Sequence, residues 1–588
     1  MRASTFRRFL TTLLVAALIG PLSVSPARGQ DQYWHRDLPN FSQSNAQDYA
    51  AGWRKLAIDD SFNGGATSSI FAGWAQGSDV NYGKCDSVDS GPCLDPTISF
   101  IQGESILPVC SSSVIENCIN GLSISSSGSP VSAVFQRSLE GFAFPANAAA
   151  QTPAGGTVSL WDSKEFPHTG GSTYAVSAQI NWFRSGGQTT YRDMTIRVAA
   201  VDLRASSDAR VTVPYTTESG VPGASRLQTR AANHYPGKNG CFFTQDQVCG
   251  YEQEFSPSTR IKVSLKVSNR VTGWLYGRLK DPVISIQDLG LGQNLVEIEA
   301  EPVRVAKLHV RWNANSLPGV IDDRQGRGAF GDGNLMAGST DTDAFSIVDK
   351  LRTVTQDAAT GHKTYWSLAS RRDSGGCLSD GARLNGVVTT NAMVFSGGPP
   401  VFENGFLNYR VAGMHHGPGG TEVELGTYDV LIRSDVARCL YRFTNAPVSA
   451  TVAVVGSGGE EKIASTQVSE KDGWLKLAAY GFTFSEKEVR VKLSQVRTHT
   501  FTKFSGTSKL LSSKQKFEMW DFGPALANSR SITCTVLHSK PSGRALAGAR
   551  AKAACDFLRP ANPFAIFHST AKLTTQKSAA GSLLITSK

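Results

Sequence analysis

Hydrophobic and polar positions alternate with period two over much of the chain. Ile261, Val263, Leu265 and Val267 alternate with Arg260, Lys262, Ser264 and Lys266, and Val296, Ile298 and Ala300 alternate with Glu297, Glu299 and Glu301. Successive side chains of a strand point to opposite faces, so this pattern marks strands with one buried face. It returns between Leu384 and Val496, ending with Val489, Val491 and Leu493 against Arg490, Lys492 and Ser494. Glycine pairs at 170–171 and 186–187 punctuate further short strands. Short strands with turn signals between them read as sandwiches. The expected fold is therefore mainly β: two antiparallel β-sandwich-like domains, over residues 63–310 and 311–500, followed by a small C-terminal α+β module at 531–588.

Helical spacing is confined to a few places. Residues 30–62 form a partly helical segment, with Tyr49, Trp53 and Leu56 marking a helix over Gln47–Ile58. Residues 315–340 are rich in Gly and Asp and read as a long loop or domain junction. A second helix starts near Asp341 or Asp343, whose carboxylates can cap exposed amides. Phe345, Val348 and Leu351 are its apolar stripe. The stretch from Ser505 to Lys516 is polar and Ser/Lys-rich, which is linker composition, and residues 501–530 are read as a basic linker. In the module, Ile532 to Leu537 is a strand, Arg544 to Leu558 an Ala-rich helix, and Ala565 onward one or two more strands.

The amino terminus adds a compartment. Arg2, Arg7 and Arg8 precede the apolar run Phe9 to Ile19; Gly20 and Pro21 follow, and Ala27-Arg28-Gly29 supplies small residues. These are the parts of a cleavable secretory signal, which predicts a signal peptide over 1–29 with cleavage before Gln30. The apolar run is shorter than the roughly 20 residues that span a bilayer, so no transmembrane span is expected after cleavage.

The 10 cysteines fit that compartment. Cys85 and Cys93, Cys110 and Cys118, and Cys241 and Cys249 share one spacing, with seven residues between the thiols. Cys377 with Cys439 and Cys534 with Cys555 are the remainder. Zinc sites pair cysteines two to four residues apart, which none of these do, whereas export favours disulfides. Connectivity does not follow from sequence, and neighbour pairing is the simplest choice. It would staple the Cys534 strand to the Cys555 helix.

The formal charge of +10 is unevenly placed. The leader carries four arginines and no acid, while residues 501–588 hold thirteen Lys/Arg against three Asp/Glu. Everything between is slightly acidic. A basic tail on such a chain points to a polyanionic partner. No nucleic-acid partner is expected of an exported protein, and no cofactor.

Catalytic signatures are mostly missing: there is no Gly-x-Ser-x-Gly elbow, no His-Glu-x-x-His helix, and no catalytic or metal-ligating residue is assigned. Gly326-Arg327-Gly328-Ala329-Phe330-Gly331 matches a nucleotide-loop pattern in letters, but it follows Asp322-Asp323 rather than a buried strand. Glu297, Glu299 and Glu301 line one strand face, as glycosidase carboxylates can, and read first as a solvated face. His415-His416 precede Gly417-Pro418-Gly419-Gly420. Neighbours on a strand point apart, so the pair is read as a turn rather than a chelate.

On a helical wheel of 544–558, Arg550 falls inside the apolar arc, where it needs an anion from within the protein or from a ligand. His538-Ser539-Lys540-Pro541-Ser542-Gly543 and Leu546-Ala547-Gly548-Ala549-Arg550-Ala551 resemble the middle of OmpA-like peptidoglycan-binding domains. That resemblance covers about 45 residues. It implies a ligand site at Arg550 with Lys540 and His538, at the positions of the family's arginine and His-Thr-Asp turn; in the family that arginine and the turn's aspartate together hold a diaminopimelate stem. Here Lys540 stands where the family has aspartate, which would favour a purely anionic group. Residues 254–500, with stretches such as 266–274 and 473–484, are similar to uncharacterised exported proteins of high-GC Gram-positive bacteria.

These readings lead to an exported, non-enzymatic envelope or extracellular binding or structural protein, secreted or envelope-associated. Its basic module would contact anionic cell-wall polymer or peptidoglycan. The alternative is a secreted hydrolase of polysaccharide or peptide, using the Glu297/Glu299/Glu301 face or the His415-His416 loop.

Overall fold

The computed structural model describes residues 67–205, 241–313 and 342–587, short internal breaks aside, and the isolated strands Trp34–His35, Trp53–Ile58 and Asp332–Leu335. The expected signal peptide at 1–29, residues 47–52 of the expected helix, most of the expected 315–340 loop and the 326–331 glycine motif lie outside the described residues. With 55% strand against 15% helix, the fold is mainly β.

Nineteen strands are linked by hydrogen-bonded ladders into one large sheet. A five-stranded antiparallel sheet contains the two alternating segments singled out in the sequence, Arg260–Ser268 and Gln293–Glu301, side by side. Val263, Leu265, Val296 and Ile298 point inward and pack with Val176, Ile180, Ile196 and Trp366 of the large sheet. A six-stranded sheet, including Phe406–Ala412, Val448–Val455 and Lys487–Gln495, closes a second core against Tyr428, Val430, Leu475 and Leu477. Two sheet-on-sheet cores are thus present, and each fully buried Val, Leu or Ile contributes roughly 1.5–3 kcal/mol of transfer free energy.

The two sandwiches share a wall. In Leu384–Thr390, Val387 enters the first core and Val388 the second; in Leu425–Arg433, Leu431 enters the first and Val430 and Ile432 the second. Leu275 and Trp274 divide the same way. Adjacent residues on opposite faces place the two cores on opposite sides of one sheet. All seven residues of Leu384–Thr390 are buried, as a strand covered on both faces requires. Trp274 lies over Gly386, where any Cβ would come within 2.2 Å of the indole.

Three expectations are corrected. The boundary at 310 is crossed by ladders: Gly273–Arg278 pairs with Gly361–Arg371 and, in parallel, with Leu384–Thr390, and Gln188–Ala205 also pairs with Gly361–Arg371. Trp53–Ile58 is a strand rather than the end of a helix, paired antiparallel with residues 308–313; ladder hydrogen bonds from a distant segment override the local helical spacing. Residues 501–530 are no linker. Ser513–Phe522 is a helix with a Ser512/Gln515 capping box, and Phe501, Phe504, Met519 and Leu526 join the core of the C-terminal module. The second expected helix is Thr342–Thr355, with Phe345, Val348 and Leu351 buried against Leu308, Met393 and Met414.

The module itself is a four-stranded sheet in the order Arg497–Phe501, Leu583–Ser587, Ser531–His538, Ile566–Leu573. Ser531–His538 and Ile566–Leu573 run parallel, joined through the Arg544–Leu558 helix, whose Ala547, Ala551, Ala554 and Leu558 fill the core.

Candidate functional site

All ten cysteines are bridged in the neighbour pairing: Cys85–Cys93, Cys110–Cys118, Cys241–Cys249, Cys377–Cys439 and Cys534–Cys555. The last joins the Ser531–His538 strand to the Arg544–Leu558 helix. No helix among the described residues is long and apolar enough to cross a membrane.

Arg550 is buried, at 6% exposure, and its cation is used within the module. Its Nε donates to the Ser508 carbonyl at 2.7 Å, and its Nη2 to those of Gly506 at 2.6 Å and Ser505 at 3.3 Å. The guanidinium also sits 4.9 Å from the centre of the Phe504 ring, and desolvation lowers its pKa. The ligand role expected for Arg550 therefore gives way to a structural one: it pins the 505–508 loop. His538 is buried and its Nδ1 bonds the Lys540 carbonyl at 2.9 Å, which shapes the turn into the helix. Of the three expected ligand residues, only Lys540 presents its side chain to solvent.

What remains accessible is a set of cations. Lys509, Lys514, Lys516, Lys540, Arg544, Lys572 and Lys577 are exposed, while among the described residues of the module the one ion pair is Lys552–Asp556. A folded surface with this charge and few acids attracts anions at a range set by the Debye length.

The other candidates resolve differently. Glu297, Glu299 and Glu301 each meet a cation, Lys262 at 3.3 Å, Arg260 at 2.9 Å and Lys280 at 2.8 Å. This is a cross-strand ion ladder on a sheet face. His415 and His416 lie in a loop, as expected. His415 Nδ1 is 2.5 Å from Asp357 Oδ2, and Asp357 Oδ1 accepts the His415 amide. Nearby, Arg304 donates to His362 Nδ1 at 2.7 Å, and His362 Nε2 meets Glu424. The two pairs pin residues 415–424 to residues 357–362. No group of three or more His, Cys, Asp or Glu among the described residues is arranged to hold a metal.

Sequence reading missed Asp429, whose only mark is an acid inside the apolar run 428–432. It is fully buried and accepts from Tyr480 Oη at 2.6 Å and the Asp281 amide at 3.2 Å. Burial pushes its carboxyl up to about 6 against the pull of these donors. Asp281 adopts a left-handed φ of 52°. Burial acts to raise its own pKa, but Lys476 and Arg260 hold it below the ordinary value. This network ties the five-stranded sheet to the shared wall.

The fold and surface define a disulfide-stapled, mainly β protein that carries a basic α+β module. No family model matches the chain, and neither a curated protein nor a solved structure is significantly similar to it.

Proposed function

We propose that the protein is an exported, non-enzymatic envelope or extracellular binding protein whose C-terminal module holds anionic cell-wall polymer. The observation that carries this reading is the exposed cationic charge among the described residues of 501–587, where Lys552–Asp556 is the one ion pair, set against the cross-strand ion ladder of the β body. The five disulfides support an oxidising destination. In this reading the shared-wall sandwiches are the rigid body and the module is its electrostatic tether. The binding groups are the exposed lysines and Arg544, with Lys540 at the turn that opens the Arg544–Leu558 helix.

The test is sedimentation of residues 30–588 with purified cell wall at low and high salt. Binding at low salt that fades at high salt is expected, because exposed charges are screened. No co-sedimentation at low salt would sink the reading.

A further inference from the structure

The Ser513–Phe522 helix has one face built into the module core and one that no described residue covers. Gln515 and Met519 are buried, and Gln515 Nε2 donates to the Thr502 carbonyl at 2.8 Å. At about 100° per residue, Phe517 stands opposite both of them, with Lys514 and Trp520 one turn away on either side. Phe517 is 68% exposed, Trp520 72%, and Leu510, just before the helix, 77%. Scattered exposed apolar residues are ordinary, but two aromatics on one helix face, with Leu510 exposed two residues before the helix cap, are more than scatter. Lys509, Lys514 and Lys516 flank it and are themselves exposed, against one exposed acid on the same face, Asp521. The loop carrying Leu510 is held from below: Arg550 binds the carbonyls of Ser505, Gly506 and Ser508, and the Ser512 cap starts the helix.

We infer that Leu510, Phe517 and Trp520, ringed by Lys509, Lys514 and Lys516, form a ridge that docks on the surface of an anionic lipid bilayer. Side chains that stand this far out of the surface suit insertion. Trp and Phe settle at the headgroup level, and neighbouring lysines meet lipid phosphates. A hydrated polymer would satisfy the lysines but leave an aliphatic side chain such as Leu510 without a use. Arg550 acts here as a positioning residue, holding the ridge without touching the bilayer. The inference goes beyond polymer tethering and can stand or fall separately from it.

The experiment uses residues 30–588 with vesicles of phosphatidylcholine, alone or mixed with phosphatidylglycerol, and in parallel with purified wall polymer. Binding to the anionic vesicles only is expected. Phe517→Ser/Trp520→Ser should weaken it by more than about tenfold, and Lys514→Glu/Lys516→Glu by a similar factor, both with unchanged thermal unfolding. Absence of binding to anionic vesicles, or binding indifferent to both double variants, overturns the inference. If the aromatic variant loses polymer instead while vesicles never bind, the ridge is a polymer contact: the bilayer inference is lost and the tether reading survives. Vesicle binding without polymer binding gives the reverse.

Discussion

On the sheet face between residues 260 and 301 the three glutamates are all ion-paired: Arg260 meets Glu299 and Asp281, Lys262 meets Glu297, and Lys280 meets Glu301. In residues 501–587 most lysines and arginines face solvent, and Asp556 is the one acid paired to a cation among the described residues. The balance of signs differs too: six Lys/Arg face five Asp/Glu in residues 260–301, while twelve face three in residues 501–587. In the first, charge decorates a sheet face and closes on itself, each exposed pair contributing no more than about 1 kcal/mol. In the second it is left open, and open charge on a folded surface is what an external partner can use.

The sharpest break in that contrast would be finding that the body depends on its partners no more than the module does. Removing the Cys377–Cys439 bridge, which spans 62 residues, should cost the body about 4 kcal/mol by chain entropy. Removing Cys534–Cys555, which spans 21, should cost the module about 3 kcal/mol. Urea unfolding of the Ser variants checks both, and equal costs would remove the ranking.

Next is Arg278, buried in the body as Arg550 is in the module. It donates to the carbonyls of Thr390, Ala392 and Met393 over the Phe395 ring. Arg278→Met strands those carbonyls and should destabilise by roughly 3 kcal/mol or more. Arg550→Met should cost less, because its acceptors lie in the exposed 505–508 loop where water can replace the guanidinium, and the same denaturation series measures both.

Asp429 gives the body a pH signature. Its folded pKa of about 6 lies above the unfolded value near 3.8, so its protonated form favours the fold. That contribution is complete below about pH 4 and is lost as pH rises through about 6. Asp429→Asn keeps an acceptor for Tyr480 and should flatten stability over that window, gaining about 1–3 kcal/mol at pH 7. A wild-type profile that is already flat there would contradict this.

The smallest effect on stability belongs to the module surface. Lys540→Glu with Arg544→Glu should leave unfolding within about 0.5 kcal/mol, yet reduce polymer sedimentation at low salt. Loss of stability without loss of binding would make these charges structural after all.

Much of the fold was legible because it is written in local pattern. The alternation at 260–267 and 296–301, the thiol spacings and the helix at 544–558 each depend on near neighbours. The shared wall was not. Leu384–Thr390 is buried on both faces and reads Leu-Asn-Gly-Val-Val-Thr-Thr, with no alternation to announce it, and its pairing to Gly273–Arg278 reaches across more than a hundred residues. Arg550 was legible as a buried cation, but its partners are backbone carbonyls of 505–508, which no side-chain pattern encodes. Reading that loop as a linker hid both the acceptor for Arg550 and the helix that follows. Asp429 was visible as a letter, and its meaning came only with Tyr480 and Asp281 around it.

The wall common to both sandwiches also governs the order in which the protein can be finished. Gln188–Ala205 and Gly273–Arg278 need Gly361–Arg371 beside them, and Leu425–Arg433 needs Trp474–Thr483. A chain emerging amino end first therefore waits, with open strand edges, until nearly five hundred residues have arrived. Such late-closing, non-local topologies fold slowly and are prone to misassociation. The early small bridges, Cys85–Cys93 and Cys110–Cys118, close within that waiting segment and would hold its loops in place before their sheet exists.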